Sequence, residues 1–589
     1  MKALALLGVL LTAKTIVLAG HGVPVSNWDL AYFWPDLCLS LLFAALELSI
    51  RRQRAIWVLY GLTAAYTAGN VPLQLLFGSP LTWPMARAAG GALSDSIRYY
   101  VNWQNGLSTL AVLAAACLFP AGIILRSHSR SRRLLNRTAP MDLALAGVAL
   151  AAAWITFRCG RQATGQLSAA GLHRNACITL AASAFPRITA KPTAKEWRLS
   201  PFEPTPPPAE SDLTPWRGQG RGRNVVLLLL ESTGAQYLRL YGAAEDPTPH
   251  LTRLATASIL FENAYAVYPE SIKGLFSVVC SRYPAFDTTP DDYASVRTPS
   301  LAQILAQQGY RTALFHSGRF IYLGMQAIIR HRGFELLADA GEISGQRQSS
   351  FGVDEAATVR RMLAWIDGLN GERFFLTYLP IAGHHPYVSD GHGPFPDSAE
   401  PGLYRNALYE GDAALGLLLD GLRERGLFEN TMFAVAGDHA EAFEQHPGNV
   451  GHTLFIYEEN VHVPLLFAAP GLFRAQHRVA RIASLLDLTP TILDLLGLPA
   501  SPEHDGSSLL PARQQLALFF TDYSLPWLGL RDGAWKFIED VETGGAHLFD
   551  LAHDPNEQVD LSACLPARVA FYQERLRAWS AAQKARYRR

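Results

Sequence analysis

Two rhythms of hydrophobic residues divide the chain. Over roughly the first 160 positions the apolar residues come in long runs, at about 3–20, 30–50, 55–78, 107–125 and 141–157. A bilayer span needs roughly 20 apolar residues, so the second and third runs qualify easily and the fifth is near the lower limit. The first, "ALALLGVLLTAKTIVLAG", with Lys2 ahead of it, fits either a cleaved signal peptide or a span. We read it as a retained span, with Lys14 near its far end snorkelling to an interface.

From Asn224 the runs become short and evenly separated. "NVVLLLL" (224–230), "RTALF" (311–315), "RFFLTYL" (373–379), "TMFAVAG" (431–437) and "VPLLFAA" (463–469) each read as a strand buried on both faces. Between them lie helical patterns such as "SLAQILAQQG" (300–309) and "ALYEGDAALGLLLDGLRERG" (407–426). Alternating strands and helices predict an α/β doubly wound sheet. The join has its own character. Residues 162–185 read as an amphipathic juxtamembrane helix, and 186–223 as a proline-rich, semi-extended linker rather than core. The expected division is a bundle of about five transmembrane helices over 1–157, a juxtamembrane helix and linker over 158–223, and an outer α/β domain over 224–589.

Charge orients the bundle. The loops after the second and fourth runs carry Arg51, Arg52, Arg54, Arg126, Arg130, Arg132, Arg133 and Arg137, whereas the alternate loops hold only Arg87 and Arg98. Arginine-rich loops stay in the cytoplasm, so everything after residue 157 is expected outside, in the periplasm of a bacterium with the bundle in its inner membrane. The net charge of zero offers no basic footprint for nucleic acid. Six scattered cysteines form no C-x-x-C pair, so no zinc knuckle or thioredoxin motif is signalled.

Doubly wound sheets bind ligands beyond the carboxyl ends of their strands. After the first outer strand comes Glu231, after the second His316, after the third His384 and His385, and after the fourth Asp438 and His439. One such residue is usually a loop end or a helix cap. Four strand ends bearing carboxylates and imidazoles make a first shell suited to zinc or manganese. Ser271 follows "FENAYAVYPE" and opens the helical run "SIKGLFSVV". A serine there either caps the helix or, activated by a divalent metal, attacks as a nucleophile. Spacing leaves the two readings open. Lys273 stands ready as a point charge.

The ordered set "NVVLLLLEST", "TPHLTRLA", "CSRYP", "HHPY", "TMFAVAGDHAEAF", "GHTLFIYEENVHVPLLFAAPG" and "LFDLAHDPNEQVDL" resembles the sulfatase-like branch of the alkaline phosphatase superfamily, over roughly 224–561. In sulfatases the nucleophile becomes formylglycine in a C/S-x-P/A-S-R context. Here Lys273 and Leu275 replace the proline or alanine and the arginine, so the resemblance does not extend to that conversion. The outline of helices, juxtamembrane segment and outer domain is similar to the lipoteichoic acid synthases and lipid A phosphoethanolamine transferases, which use an unmodified threonine. Carried over, that resemblance implies one metal held by Glu231, Ser271, Asp438 and His439. It also implies Ser271 and Lys273 in catalysis, and His316, His384 and His452 at the substrate. Where the synthases have an arginine nine residues after the first histidine, this chain has Met325.

The implied function is transfer of a phospho-headgroup, phosphoethanolamine or phosphoglycerol, from a membrane phospholipid through Ser271 to an envelope glycan or lipid. The rivals are a sulfatase-like hydrolase acting on phosphodiesters or sulfate esters, and an inactive lipid-binding signalling protein.

Overall fold

The computed structural model describes residues 1–50, 52–88, 103–129, 139–164, 171–185, 187–188, 197–202, 212–349, 352–387, 393–396, 399–513 and 515–587. Arg51, Arg98 and the arginines at 130, 132, 133 and 137 lie outside the described residues, as does much of the proline-rich stretch.

Each apolar run of the first part becomes a helix: α1 (Lys2–Gly20), α2 (Trp34–Ser49), α3 (Gln53–Phe77), α4 (Trp103–Ser129) and α5 (Ala139–Thr164). Helix α1 is central, burying Leu6, Val9, Leu10, Ala13 and Val17 against Tyr60, Ala64, Ala68 and Val71 of α3. Helices α4 and α5 leave Leu110, Leu118, Leu143, Val148, Trp154 and Ile155 exposed. An apolar surface on that scale calls for lipid or a partner rather than water. Among the described residues, Lys2–Gly20, Asn105–Ile123 and Pro140–Thr164 are long and apolar enough to cross a bilayer. Helix α2 is shorter at 16 residues, and α3 carries Asn70 and Gln74. A count of five spans is thus not carried by length and composition alone. Asn70 and Glu47 accept hydrogen bonds from backbone amides. Asn70 accepts from the Leu81 amide at 2.9 Å, and Glu47 accepts the Lys2 and Ala3 amides at 3.2 and 3.0 Å.

Two expectations about this part change. The helix predicted over 162–185 is not continuous. Helix α5 runs on to Thr164, Gly171 takes φ +88°, and a separate eight-residue α6 (Ala176–Ser183) starts where the Asn175 side chain accepts the Cys177 and Ile178 amides. Nor does Lys14 snorkel. Its ammonium is buried, 3.4 Å from Asp36, and donates to the carbonyls of Leu172, His173 and Arg174 at 3.1, 2.8 and 2.6 Å. A cation this far from water persists because a carboxylate and three carbonyl dipoles replace its hydration.

The outer domain rests on eight strands: β1 (Asn224–Leu230), β2 (Ser258–Tyr265), β3 (Arg311–His316), β4 (Leu336–Ala338), β5 (Phe374–Leu379), β6 (Thr431–Gly437), β7 (His462–Ala468) and β8 (His477–Ser484). Their order is β8-β2-β7-β6-β1-β5-β3-β4. The central β1, between β5 and β6 and parallel to both, has Val225 and Leu227 in the core of one face and Val226 and Leu228 in that of the other. The sheet is mixed rather than wholly parallel: β7 runs antiparallel to β6 and β2. A fully apolar run reads the same in either direction. The chain leaves β6, makes a small hairpin (442–443 with 450–451) and the four-residue helix Glu458–Val461, and re-enters without crossing a face of the sheet.

Helix α7 (Ser271–Cys280) follows β2 and has its buried face against the sheet. Helices α8 (Glu355–Asp367) and α9 (Glu400–Glu424) cover the opposite face. A second sheet, which the pattern of apolar runs did not mark, is an antiparallel meander of β9 (Ala517–Thr521), β10 (Trp527–Asp532), β11 (Trp535–Asp540) and β12 (Ala546–Asp550). Helix α10 (Pro566–Tyr587) packs Tyr572, Leu576 and Trp579 on it. The described parts of the linker are held to the domain. Leu213 pairs with Leu510 at 2.8 Å, and the Arg198 guanidinium grips Asp487 through two bonds of 2.5 and 2.6 Å.

Removing the Lys14 ammonium leaves the buried Asp36 with the Asn175 amide but without a counter-charge. Lys14→Met is expected to cost about 3 kcal/mol, and Lys14→Met with Asp36→Leu to recover most of it. Thermal unfolding of the detergent-solubilised protein measures both.

Candidate metal centre and nucleophile

The site lies where β1, β6 and the start of α7 converge. Glu231 is the first residue beyond β1, and Asp438 and His439 the first two beyond the adjacent β6. The parallel register that pairs Leu230 with Gly437 places these ends side by side. The approach is close enough to require glycine. A Cβ at Gly437 would stand 2.3 Å from the Thr233 carbonyl, and one at Gly383 2.1 Å from the Glu231 carbonyl. Ser232 adopts φ +52°, and its amide donates to Asp438 at 2.9 Å while Tyr404 donates to its carbonyl at 2.7 Å. A non-glycine residue in that conformation is held there by its surroundings.

Ser271 opens α7 but does not cap it. The cap is Glu270, whose carboxylate accepts the Lys273 amide at 3.2 Å. The Ser271 hydroxyl is thereby released. It donates to Glu231 at 3.0 Å, and His439 Nε2 lies 3.2 Å from its oxygen. Glu231, Asp438 and His439 are buried, and one ligand atom from each lies within 4.8 Å of the others. Two carboxylates, an imidazole and a hydroxyl gathered away from water are a donor set for a hard or borderline divalent cation. The residues fit such an ion.

The electrostatics carry the same message. Burial opposes ionisation of Glu231, but the hydrogen bond and charge of His439 outweigh it and hold that carboxyl well below its usual range. Burial, followed by repulsion from Glu231, pushes Asp438 up. For His439 burial favours the neutral ring, yet the charges of Asp438 and Glu231 raise it to about 10. A proton on His439 thus does in part what a cation does in full.

The histidines nearby share a pattern. His316 donates from Nδ1 to the Leu379 carbonyl at 3.0 Å, His384 from Nδ1 to the His385 carbonyl at 2.5 Å, and His439 from Nδ1 to the Ala440 carbonyl at 3.1 Å. His452 donates from Nδ1 to Glu441 at 2.6 Å. Each bond fixes the tautomer so that Nε2 is the basic nitrogen. The His452 ring lies 4.0 Å from that of His439, and the charges of His316, His384 and His452 all couple to Glu231. Burial lowers the proton affinity of His316 and His452, which keeps them neutral and suits them to accept a proton at neutral pH.

The structure thus gathers Glu231, Ser271, Asp438, His439 and His452, and holds His316 and His384 within electrostatic reach. Lys273 behaves differently: its ammonium is 2.7 Å from Asp522, not directed at the Ser271 hydroxyl. Sequence reasoning passed over Glu441, which accepts from His452 and, at 2.6 Å, from Tyr387, and could form a second donor group with His439 and His452. Its place two residues after His439 was the available signal. Glu270 was passed over because proline beside it drew attention to Ser271 as the cap.

Residues 223–498 match the sulfatase family model. Bovine (Bos taurus) arylsulfatase K is 29% identical over 220 residues, 34% of this chain and 40% of its own length. The lipoteichoic acid synthase-like YvgJ of Bacillus subtilis (strain 168) is 22% identical over 373 residues, 59% of this chain and 58% of its own. This chain therefore spans less than two thirds of either relative. Among solved structures, the lipoteichoic acid synthase LtaP of Listeria monocytogenes superposes with a TM-score of 0.54 at 17% identity, over 63% of this chain and 94% of that one. The fold and site define a sulfatase-like α/β domain. Residues 223–498 carry a sulfatase family domain, and the fold is that of the solved lipoteichoic acid synthase.

A cation entering this centre must displace the proton that His439 carries at neutral pH. Apparent affinity for zinc or manganese should rise by about tenfold per pH unit between about pH 6 and pH 8. Calorimetry in buffers of different ionisation enthalpy should detect the released proton. Glu231→Ala should abolish tight binding, and an affinity independent of pH would show that His439 is not a ligand.

Proposed function

We propose that the protein is a membrane-anchored, metal-dependent transferase that moves a phospholipid-derived phospho-headgroup through a covalent intermediate on Ser271. The observation that carries this reading is the Ser271 hydroxyl, freed from capping by Glu270 and bonded to Glu231 at 3.0 Å beside His439. The departures at Lys273 and Leu275 from the formylglycine context favour an unmodified serine. Leu275 is moreover buried in the core, away from the solvent.

Glu231, Ser271, Asp438 and His439 would hold the cation, zinc or manganese in this proposal. When bound, it neutralises charge on a phosphoryl oxygen and favours the alkoxide of Ser271. Ser271 Oγ attacks phosphorus as its proton passes to a neutral histidine of the His316, His384 and His452 group. The ester bond to the glycerol backbone breaks, and the departing diacylglycerol oxygen takes that proton from the histidine. In the second step an acceptor hydroxyl of an envelope glycan or lipid gives its proton to that histidine and attacks phosphorus, the bond from phosphorus to Ser271 Oγ breaks, and the histidine returns the proton to Ser271 Oγ.

The position of the site supports a lipid donor. The end of α3 meets the 442–451 hairpin, with Gly78 facing the Gly448 carbonyl, and that hairpin lies between His439 and His452. A site beside the bundle meets a donor confined to the bilayer at high effective concentration. On this reading the outer domain stands on the outer face of a bacterial plasma membrane.

The arylsulfatase match keeps a second reading in play, in which water replaces the acceptor and the protein is a hydrolase. Incubation with labelled phosphatidylethanolamine and phosphatidylglycerol, followed by mass analysis of the 271 peptide, separates the two. The transferase predicts a headgroup adduct on an unmodified serine, lost in Ser271→Ala and kept in Ser271→Thr, with headgroup transferred rather than released. Formylglycine at 271, or full activity in Ser271→Ala, would end the proposal.

A further inference from the structure

The segment carrying the nucleophile is tied at both ends to one carboxylate. Tyr268, three residues before Ser271, donates its hydroxyl to Asp522 Oδ1 at 2.7 Å. Lys273, two residues after it, donates its ammonium to the same oxygen at 2.7 Å and lies 4.1 Å above the Tyr268 ring. The other oxygen, Oδ2, accepts the Asp287 amide at 2.7 Å, and Arg187 donates to the Asp522 carbonyl at 2.7 Å. The Lys273 and Asp522 side chains are 13% and 4% exposed, so water screens this pair little.

The two residues after Asp522 seat the bundle. Thr82, just beyond α3, donates to the Tyr523 carbonyl at 2.7 Å. Arg174, just before α6, donates to the Ser524 carbonyl at 2.9 Å, and the Ser524 and Ser79 hydroxyls bond to one another. The Arg174 carbonyl is in turn one of those held by Lys14. A continuous set of buried polar contacts therefore runs from α1, through 172–174 and 522–524, to the residues on either side of Ser271.

We propose that Asp522 is a positioning residue for the Ser271 helix, acting through Lys273 and Tyr268, and that docking of the bundle on 523–524 sets that position. Lys273 is then a tether whose charge Asp522 neutralises, and not a clamp on substrate phosphate. The kinetic part of this inference rests on Ser271 being the nucleophile; the structural part does not.

The test uses the full chain in nanodiscs and compares Asp522→Asn, Lys273→Met and Lys273→Arg with the bundle-side pair Thr82→Val and Arg174→Gln. Amide hydrogen exchange in 272–280 is expected to quicken by roughly fivefold or more in Asp522→Asn, Lys273→Met and the bundle-side pair, while strand 431–437 and zinc content stay as in the parent. With labelled phosphatidylethanolamine or phosphatidylglycerol as donor, kcat should fall about tenfold with KM for lipid unchanged, and Lys273→Arg should recover most of the loss. A salt bridge with only a stabilising role would lower the unfolding temperature without changing kcat or exchange in 272–280, and that result overturns the proposal. Faster exchange in Asp522→Asn but not in the bundle-side pair removes the bundle from it. If the pair fails to fold, Thr82→Val alone replaces it. If neither lipid is turned over by the parent, the exchange data decide this inference, and the failure belongs to the catalytic reading.

Discussion

Two buried carboxylates facing each other across adjacent strand ends are the constraint around which the rest of the site is arranged. Glu231 and Asp438 arrive together because β1 and β6 are parallel and in register, and neither can be ionised beside the other without a positive partner. In the metal-free protein His439 supplies that charge by keeping its proton. The same need makes the centre a candidate cation site, with the hydroxyl of Ser271 bonded to the anionic Glu231 at its edge. The glycines at 383 and 437 and the left-handed backbone at Ser232 are conformational costs accepted to bring these groups so close.

Around this centre the imidazoles are prepared rather than merely present. Each of His316, His384 and His439 commits Nδ1 to a backbone carbonyl, and His452 commits it to Glu441. The second nitrogen is then basic and fixed in direction. Glu441 is in turn bonded to Tyr387, so the orientation of His452 depends on a residue outside the motif that drew attention to it. Such outer partners set the chemistry of the inner ones without touching the reacting atoms.

The helical first part and the α/β domain are joined by polar contacts, not only by chain. Lys14 and Asp36 within the bundle, Arg174 at its edge, and residues 522–524 on the second sheet make one buried network. Buried ion pairs contribute little net stability, because the attraction mainly offsets desolvation, but they tolerate few alternative geometries. Here that intolerance favours one seating of the α/β domain on the bundle.

Much of this was readable in the residues. The strands "NVVLLLL" and "TMFAVAG" must present the residues at their carboxyl ends to one edge of a sheet. Glu231, Asp438 and His439 were therefore legible from order and spacing, as were the helices of the first part from their unbroken apolar runs. The reversed direction of β7 was not legible, because an apolar strand has no polarity and only the short connection around the 442–451 hairpin decides it. The second sheet, the satisfaction of Lys14 by carbonyls 158–160 residues away and the tether from Lys273 to Asp522, 249 residues distant, lay equally out of reach. Whether Ser271 caps or reacts was open for a related reason. Its hydroxyl suits either task, and only the folded backbone, by giving the cap to Glu270, shows that it does not cap and turns it to Glu231. Local pattern determines which elements form and which residues their ends carry. Which distant groups neutralise one another depends on packing, because a charge buried in the fold takes its partner from whatever the other elements bring within reach.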